Sequence, residues 1–341
     1  MLNSYTQHLV HVFSELGQHL AQPDQELLAL IAQEAGHNAW FTPESVGQAV
    51  SAITGQLTTK HLTDWLNHYA LPAINAPKTV GLILAGNIPM VGFHDILCTI
   101  AAGHNAQIKM SGSDSRLIKY ILKQLITIDA ALAQRYHIIE RLENFDAVIA
   151  TGSNNTSRYF DYYFGKVPNI IRKNRNSLAL LTGNETEEQL SNLGHDIFDY
   201  YGLGCRNVSK VMVPEGYKFN SFFEAIEHQH KVINHHKYHN NYDYNKAIYL
   251  VNRDKHLDNG FLLVKQDDRL ASPLAVLYYE EYKDLNEASG KLQQQADQIQ
   301  CVVTNAHIDA PVQTVDFGCS QQPGLADYAD GVDTLEFLLK L

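Results

Sequence analysis

Cysteine is scarce in this sequence. The 341 residues include four cysteines, which lie far apart and form neither a C-x-x-C pair nor a Cys/His spacing typical of a zinc site. The sequence therefore predicts no disulfide framework and no structural zinc, and it indicates a reducing compartment. We expect a cytoplasmic protein that binds no metal.

The sequence also has fewer positive than negative charges and no long apolar run. Lys and Arg number 26 against 37 Asp and Glu, giving a formal net charge of −11, so the field of the whole chain repels polyanions. No window reaches the roughly 18 consecutive apolar residues of a membrane span, and residues 1–22 lack the basic start and apolar core of a secretion signal. We expect neither nucleic-acid binding nor an integral membrane segment.

The dinucleotide fingerprint G-x-G-x-x-G after a strand is absent as well. The sequence does contain a change in the spacing of its apolar residues. The first 75 or so residues carry apolar residues at helical spacing, and from Thr79 onward short β-rich runs alternate with amphipathic helices. This alternation predicts an α/β fold with two doubly wound, mostly parallel lobes, the second beginning near Val208. The candidate strands are VGLILA (80–85), AQIKM (106–110), DAVIA (146–150), SLALL (177–181), VSKVMV (208–213), AIYLV (247–251), LAVLYY (274–279) and CVVT (301–304).

The segment AGNIPMVGFHDILCTIAAG (85–103) is typical of a corner between a strand and a helix. Pro89 is expected in the first helical turn and Gly103 after the last. Such corners hold ligands at the carboxyl ends of parallel strands, where the Asn87 amide can donate to a developing oxyanion. The alternative is that Asn87 caps the helix, and spacing alone favours capping.

Two further glycine-containing segments are candidates for chemistry. In ATGSNNTSRYF (150–160) a strand runs into Gly152 and Ser153 and then a helix, whose N-terminal N–H groups are suited to a phosphate, although this is also ordinary turn chemistry. In YYGLGCRNVSKVMVP (200–214) glycines flank Cys205, and the neighbouring Arg206 favours a thiolate. The alternative for Cys205 is a buried small hydrophobe.

The His-rich run HQHKVINHHKYH (228–239) contains His235 and His239 at the i, i+4 spacing of a helical metal pair. No acidic third ligand is spaced alongside. We therefore favour a polar helix end at the surface over a metal site.

Taken in order, these segments resemble the aldehyde dehydrogenase superfamily. The phrases GNIPMVGFHDIL, YYGLGCRNVSKVMVP and PGLADYADGVDTLEFL look like its acyl-CoA reductase branch, similar to the fatty-acid reductases of bacterial bioluminescence. The resemblance runs from about Thr79 to the C-terminus. It implies an N-terminal helical segment over 1–75 that packs on the cofactor lobe, a Rossmann-like dinucleotide-binding domain over 76–203 and a catalytic domain over 204–312. Residues 313–341 are expected to return to the first lobe or to a subunit interface.

The resemblance also implies roles for individual residues. Cys205 matches the acyl-accepting nucleophile, and Asn87 matches the donor to the oxyanion. Lys109 matches the lysine that holds the adenosine ribose, and Gly152 and Ser153 match the Gly-Ser turn near the dinucleotide pyrophosphate. The activity implied is the reduction of an acyl-CoA, or of an acyl-carrier thioester, to an aldehyde by a homo-oligomeric enzyme.

Three departures from the superfamily pattern refine this expectation. Where hydrolytic members place a glutamate base, the chain has IRKNRNS (171–177), which contains no carboxylate to activate water. Its Arg172 and Arg175, with Arg206, are candidates for binding substrate phosphates. Arg269 stands where a ribose-binding glutamate is usual.

The third departure concerns the cofactor. Gly112 replaces the acid of many NAD-preferring members, and with Lys109, Ser111 and Ser113 nearby it leaves room for a 2′-phosphate. We therefore expect NADPH, with NADH as the alternative, although Asp114 also lies close by. The competing functions are an oxidative aldehyde dehydrogenase and a non-redox acyltransferase or acyl-carrying partner on the same fold.

Overall fold

The computed structural model describes residues 3–71, 76–152 and 154–341, apart from the side chain of Asn154. The chain has an α/β fold and forms two compact units, Met1–Asn174 with Gly324–Leu341 and Arg175–Pro323. Each unit contains its own sheet. The predicted fold class is confirmed.

The α-helices and β-strands are labelled separately in chain order. The α-helices of the described residues are α1 Ser4–Ala21, α2 Gln25–Gln33, α3 Pro43–Gln56, α4 Thr59–Leu66, α5 Phe93–Ala101, α6 Arg116–Ile128, α7 Asn154–Phe164, α8 Glu187–Phe198, α9 Asn220–Ala225, α10 His236–Asn252, α11 Leu285–Gln294 and α12 Thr334–Leu339. The strands are β1 Thr79–Ile83, β2 Asn105–Lys109, β3 Tyr136–Ile138, β4 Ala147–Thr151, β5 Asn169–Arg172, β6 Asn176–Leu180, β7 Val208–Pro214, β8 Leu257–Asp258, β9 Leu263–Gln266, β10 Val276–Tyr282, β11 Ile299–Val303 and β12 Thr314–Val315.

The sheet of the first unit has five parallel strands in the order β3-β2-β1-β4-β5. Leu82 in β1 lies opposite Ile108 in β2 and Ile149 in β4, and all three are almost fully buried. Apolar residues fill these central strands because the middle of a parallel sheet is covered on both faces. Strands β2 and β3 lie on one side of β1, and β4 and β5 lie on the other. The direction in which strands are added therefore reverses between β1 and β4.

Helices α1 to α4 form the N-terminal part of the first unit. Each begins after a side chain that accepts a backbone N–H of the first turn, namely Asn3, Asp24, Thr42 and Thr58. Such caps satisfy N–H groups that have no partner inside the helix. Helix α1 packs on α3, α4 and α6.

The C-terminal residues 324–341 group with these helices. Trp65 donates its indole N–H to Tyr328 Oη at 2.8 Å, and the Tyr69 hydroxyl donates to the Asp333 carboxylate at 2.6 Å. Both partners are more than 250 residues away along the chain. The tail is therefore part of the first unit's structure.

The second sheet has seven strands in the order β12-β11-β6-β7-β10-β9-β8. Neighbouring strands are parallel except β8 and β9. Leu178, Met212 and Val302, from β6, β7 and β11, contribute to one buried apolar cluster of this unit. Strand β6 corresponds to the predicted strand SLALL, which we expected within 76–203. Because it pairs with β7 and β11, the division between the units falls after Asn174 rather than after residue 203.

One predicted strand is wrong. AIYLV (247–251) lies within α10, although isoleucine, tyrosine and valine are enriched in strands. The residues that α10 buries are Tyr238, Tyr242, Asn245 and Tyr249, whose spacing is helical. Leu250 and Val251 are exposed instead. Strands β3, β5, β8, β9 and β12 were not predicted.

No helix among the described residues is both long and apolar enough to cross a membrane.

Gly17 tests the packing of α1. A Cβ at this position would lie 2.8 Å from the carbonyl oxygen of Leu57, so Gly17→Ala should destabilise the protein by about 1–3 kcal/mol despite the better helix propensity of alanine. Gly47, inside α3, has nothing within 4 Å of the equivalent position. Gly47→Ala is the matched control and should stabilise by about 0.5–1 kcal/mol. Urea unfolding measures the free energy of unfolding of both variants. Changes of the same sign in the two variants would contradict the close contact between Gly17 and Leu57.

Candidate active site

The carboxyl edge of the first sheet brings two candidate segments together. The loop that carries Asn87 follows β1, and Gly152 follows β4, the strand beside β1. The strand order reverses between these two strands, and ligands of open α/β sheets bind at such a reversal. The first unit therefore has a crevice position suited to a nucleotide.

Asn87 lies on a loop rather than at a helix start. Helix α5 begins at Phe93 with Gly92 as its N-cap, so the predicted helical turn at Pro89 is wrong, and Asn87 does not cap this helix. The Asn87 side chain is exposed and forms no hydrogen bond within the described part of the chain. Its amide is therefore free to donate to a ligand.

Met90 on the same loop has a left-handed backbone, with φ of 57°. Its N–H donates to Asp114 Oδ2 at 2.6 Å. Burial raises the pKa of Asp114 to about 7, the Met90 N–H opposes this rise and the charge of Glu34 adds to it. The Asp114 carboxyl thus points to the loop that carries Asn87 and Met90.

Lys109 and Ser111 lie at the carboxyl end of β2. Lys109 is the last residue of the strand, with an exposed side chain, and its carbonyl accepts the N–H of Leu84 at 3.1 Å. Ser111 Oγ accepts the N–H of Ser113 at 3.2 Å. Gly112 faces open space, with nothing within 4 Å of the position of an added Cβ. This edge therefore offers a cation, a hydroxyl and room for a ligand beside them.

Gly152 stands where α7 approaches the end of β4. An added Cβ would lie 2.9 Å from Phe160 and 3.1 Å from Thr156, so a residue with a side chain would push the helix away. The close approach keeps the start of α7 near the strand end, as in phosphate-binding corners. The other residue predicted here, Ser153, lies outside the described residues.

Arg172 is not available to a substrate phosphate, contrary to the prediction. It is 6% exposed, and its guanidinium forms two hydrogen bonds to the Asp95 carboxylate, at 2.5 and 2.8 Å. A third bond, at 3.0 Å, reaches the hydroxyl of Thr334. The nearby Asp95 charge keeps the pKa of Arg172 high against the effect of burial.

Cys205 lies at the amino end of β7 in the second unit, on a loop with unusual backbone geometry. Tyr200, Tyr201, Gly202 and Gly204 all have positive φ, between 52° and 107°. Left-handed backbone is costly for residues other than glycine and tends to occur at functional sites. The loop therefore has the geometry expected of one that presents a reactive side chain.

The side chains of Ser177 and Asn207 hold the backbone around Cys205 through hydrogen bonds. Ser177 Oγ donates to the Cys205 carbonyl at 3.0 Å and accepts the N–H of Cys301 at 3.2 Å. Asn207 Nδ2 donates to the Ile197 carbonyl at 2.7 Å. Cys205 itself is half-buried. Its backbone is thus fixed while its thiol remains partly accessible.

The other predicted basic residues of this unit contact protein groups. Arg206 is 8% exposed and donates to Gln313 Oε1 at 3.2 Å. Burial raises the pKa of the Cys301 thiol, and the Arg206 charge opposes that rise, so Arg206 acts on Cys301 as well. Arg175 donates to the Ile299 carbonyl at 3.2 Å. A role for these two in phosphate binding stays a prediction.

Arg269, the residue at the place of the usual ribose-binding glutamate, is held at the surface. It pairs with Asp267 at 2.6 Å and lies over the ring of Tyr278, 5.0 Å from its centre.

The His-rich run contributes to packing. His235 accepts the Tyr238 N–H at the start of α10, and its ring lies 4.2 Å from that of Tyr201 on the cysteine loop. His239 lies 3.4 Å from Asp243. Among the described residues, no group of three or more His, Cys, Asp or Glu side chains is arranged to hold a metal ion.

The sequence did not identify Ser177 or Asp196 as residues that hold the backbone. It also did not show that Asp114 points to the Asn87 loop. Asp196 is fully buried and accepts the backbone N–H groups of Gly318 and Ser320, at 2.7 and 2.8 Å. Burial raises its pKa. Its partners are 122 and 124 residues away along the chain, so no local pattern identifies them.

Arg172→Met tests the structural role of the buried pair. Truncating one partner leaves the Asp95 charge buried without its counterion, which should cost about 3–5 kcal/mol of unfolding free energy. Lys173→Met removes a neighbouring charge whose side chain is 60% exposed, and it should cost less than about 1 kcal/mol. Chemical denaturation compares the two variants, and similar small losses would return Arg172 to the ligand candidates.

Comparisons with known proteins bear on the fold. Neither a scan against protein-family models nor a search of curated proteins finds a match. Among solved structures, aldehyde dehydrogenase 21 from Physcomitrella patens, in complex with the reaction product succinate, matches with a TM-score of 0.68 and 12% identity over 100% of this chain and 84% of its own. Indole-3-acetaldehyde dehydrogenase from P. syringae, in complex with NAD+, matches with a TM-score of 0.67 and 12% identity over 92% of this chain and 77% of its own. The Mycobacterium tuberculosis aldehyde dehydrogenase complexed with NAD+ gives 0.63 and 13%, over 91% and 77%. The chain therefore has the fold of the aldehyde dehydrogenases.

Proposed function

We propose that the protein is an NAD(P)H-dependent acyl-CoA reductase that forms a thioester on Cys205 and releases an aldehyde. The observation that carries the proposal is the loop of Cys205. On an aldehyde dehydrogenase fold, this loop holds a half-buried thiol on left-handed backbone at the amino end of β7. A fixed backbone with a partly accessible thiol is what nucleophilic catalysis requires.

The first step is acyl transfer. The Cys205 thiolate attacks the carbonyl carbon of the acyl-CoA, a carbon–sulfur bond to the enzyme forms and the bond to CoA breaks. CoA leaves as a thiolate that takes up a proton. One thioester replaces another, so the step needs no energy source.

Asn87 has the role of donor to the oxyanion of this step. Its exposed amide has no hydrogen-bond partner within the described residues, so an arriving substrate displaces only solvent from the N–H. A donor of this kind stabilises charge that develops in the transition state.

The residues of the first unit fit a dinucleotide. Lys109 and Ser111 offer a cation and a hydroxyl at the end of β2, and Gly152 keeps the start of α7 close to β4. Bound there, the cofactor supplies the hydride that converts the acyl group to an aldehyde. The sulfur of Cys205 then leaves as a thiolate. The sum is acyl-CoA, NADPH and a proton giving aldehyde, NADP+ and CoA.

NADPH is the proposed donor because, among the described residues beyond its chain neighbours, nothing lies within 4 Å of the position of an added Cβ at Gly112. The nearest acid in sequence, Asp114, is 1% exposed and directed to Met90. Its orientation supports the room for a 2′-phosphate, and NADH remains the alternative.

Reduction is favoured over acid formation because residues 171–177 contain no carboxylate. Water attacks a thioester slowly without a general base. We also propose a cytoplasmic setting, in which the nucleophile stays reduced, and a homo-oligomeric enzyme. An acyl-carrier protein is the alternative acyl donor.

Cys205→Ala should abolish acyl transfer and NADPH oxidation while leaving the free energy of unfolding within about 1 kcal/mol, because the side chain is not part of the core. Cys319→Ala, at an exposed thiol of the same unit, is the matched control and should keep full activity. An NADPH oxidation assay over a series of acyl-CoA chain lengths measures both. Activity retained in the Cys205 variant would end the covalent mechanism.

The choice between reduction and hydrolysis is tested by withholding NADPH. The acyl-enzyme should then persist and appear in intact-protein mass spectra as one acyl group added to the wild-type chain, and to Cys319→Ala, but not to Cys205→Ala. Adding NADPH or a thiol should release it, since a positioned hydride or thiolate has proximity that water lacks. Rapid formation of free acid without NADPH would favour the oxidative, hydrolytic alternative.

A further inference from the structure

A buried carboxylate holds the loop between β1 and α5. The Met90 N–H donates to Asp114 Oδ2 at 2.6 Å, and the two residues are 3% and 1% exposed. The second oxygen, Asp114 Oδ1, is buried and has no hydrogen-bond partner among the described residues. The hydrogen bonding of this carboxyl is thus directed to a single backbone group of the loop.

The turn formed by residues 111–114 also contacts this loop on the N-terminal side of Asn87. A Cβ added to Gly86 would lie 2.4 Å from Ser111 Oγ and 3.2 Å from Asp114 Cβ. The loop is therefore pressed against residues 111–114 immediately before Asn87 and bonded to them three residues after it. Asn87 lies between the two contacts, with its own side chain exposed.

The backbone of Met90 needs this hydrogen bond. Its φ of 57° belongs to the left-handed region, which a residue with a Cβ occupies at a cost in free energy. A hydrogen bond from a backbone N–H to a carboxylate is among the stronger ones in proteins and offsets such a cost. Without it, the loop is expected to relax to ordinary backbone angles and turn Asn87 away.

We propose that Asp114 is a positioning residue for the reaction, which acts by holding Met90 so that Asn87 presents its amide in one direction. The inference rests on the proposed function, in which Asn87 donates to the oxyanion. Asp114 itself does not contact the substrate.

The surroundings of Asp114 disfavour its ionised form. The charged groups near it are Glu34, which is 2% exposed, and Arg116, which lies 3.2 Å from Glu34. Burial and the Glu34 charge together raise the pKa of Asp114 to about 7. Ionising this carboxyl therefore costs free energy, and the hydrogen bond from the Met90 N–H opposes that cost.

The test is a double-mutant cycle with Asn87. Asn87→Ala alone should lower kcat by roughly 10²–10³, as for the loss of one oxyanion donor. Asp114→Ala should lower kcat by about 10–100-fold with KM within about twofold, and in the Asn87→Ala background it should lower kcat by less than about twofold further, because it acts through Asn87. Asp114→Asn keeps an acceptor for Met90 and should recover kcat to within about threefold of wild type. Ser115→Ala, on the same turn, is the control and should leave kcat unchanged.

A second readout does not depend on activity. Hydrogen–deuterium exchange of segment 86–92 should be at least about tenfold faster in Asp114→Ala than in wild type, Asp114→Asn or Ser115→Ala, because the Met90 N–H loses its acceptor.

The possible outcomes separate the inference from the function. Equal kcat losses from Asp114→Ala in both backgrounds, or unchanged exchange, would overturn the positioning role. A wild-type protein that reduces no acyl-CoA would contradict the proposed function, and the exchange measurement would then decide alone whether Asp114 holds the loop.

Discussion

The buried ion pair between Asp95 and Arg172 is the interaction on which the first unit depends. It joins α5, the end of β5 and, through Thr334, helix α12. These segments are 77 and 162 residues apart along the chain. Removing two charges from water is costly unless the geometry of the pair is good, so the arrangement is stable only while all three segments stay docked. Because α5 directly follows the Asn87 loop, the position of that loop depends on the same pair.

Left-handed backbone marks both candidate loops. Met90 lies three residues after Asn87, and Tyr200 and Tyr201 come just before Cys205. Each such residue costs about 1–2 kcal/mol, and each loop forms a hydrogen bond with a polar side chain from outside it. Asp114 bonds Met90, and Ser177 bonds the carbonyl of Cys205. In each loop, one backbone group near the candidate side chain is thus held by a residue from another element or turn.

The partners of the basic residues could not be identified from the sequence. Arg172, Arg175 and Arg206 were all predicted as candidates for binding substrate phosphates. In the structure their partners are Asp95, the Ile299 carbonyl and Gln313. None of these partners is within 70 residues of its arginine. Lys109, by contrast, is exposed at the end of β2, a place that follows from the strand pattern.

The sequence by itself determined the alternation of strands and helices, the bounds of the main strands to within three residues, and the turns that carry Asn87, Gly152 and Cys205. These features depend on residues close together in the chain, since strand period, capping and glycine turns are local. Only the tertiary structure decided that AIYLV is helical, that β6 belongs to the second sheet, and that Asp114 faces Met90 while Arg172 faces Asp95. Burial of a polar group is stable only beside a partner, and folding brings that partner from a distant part of the chain.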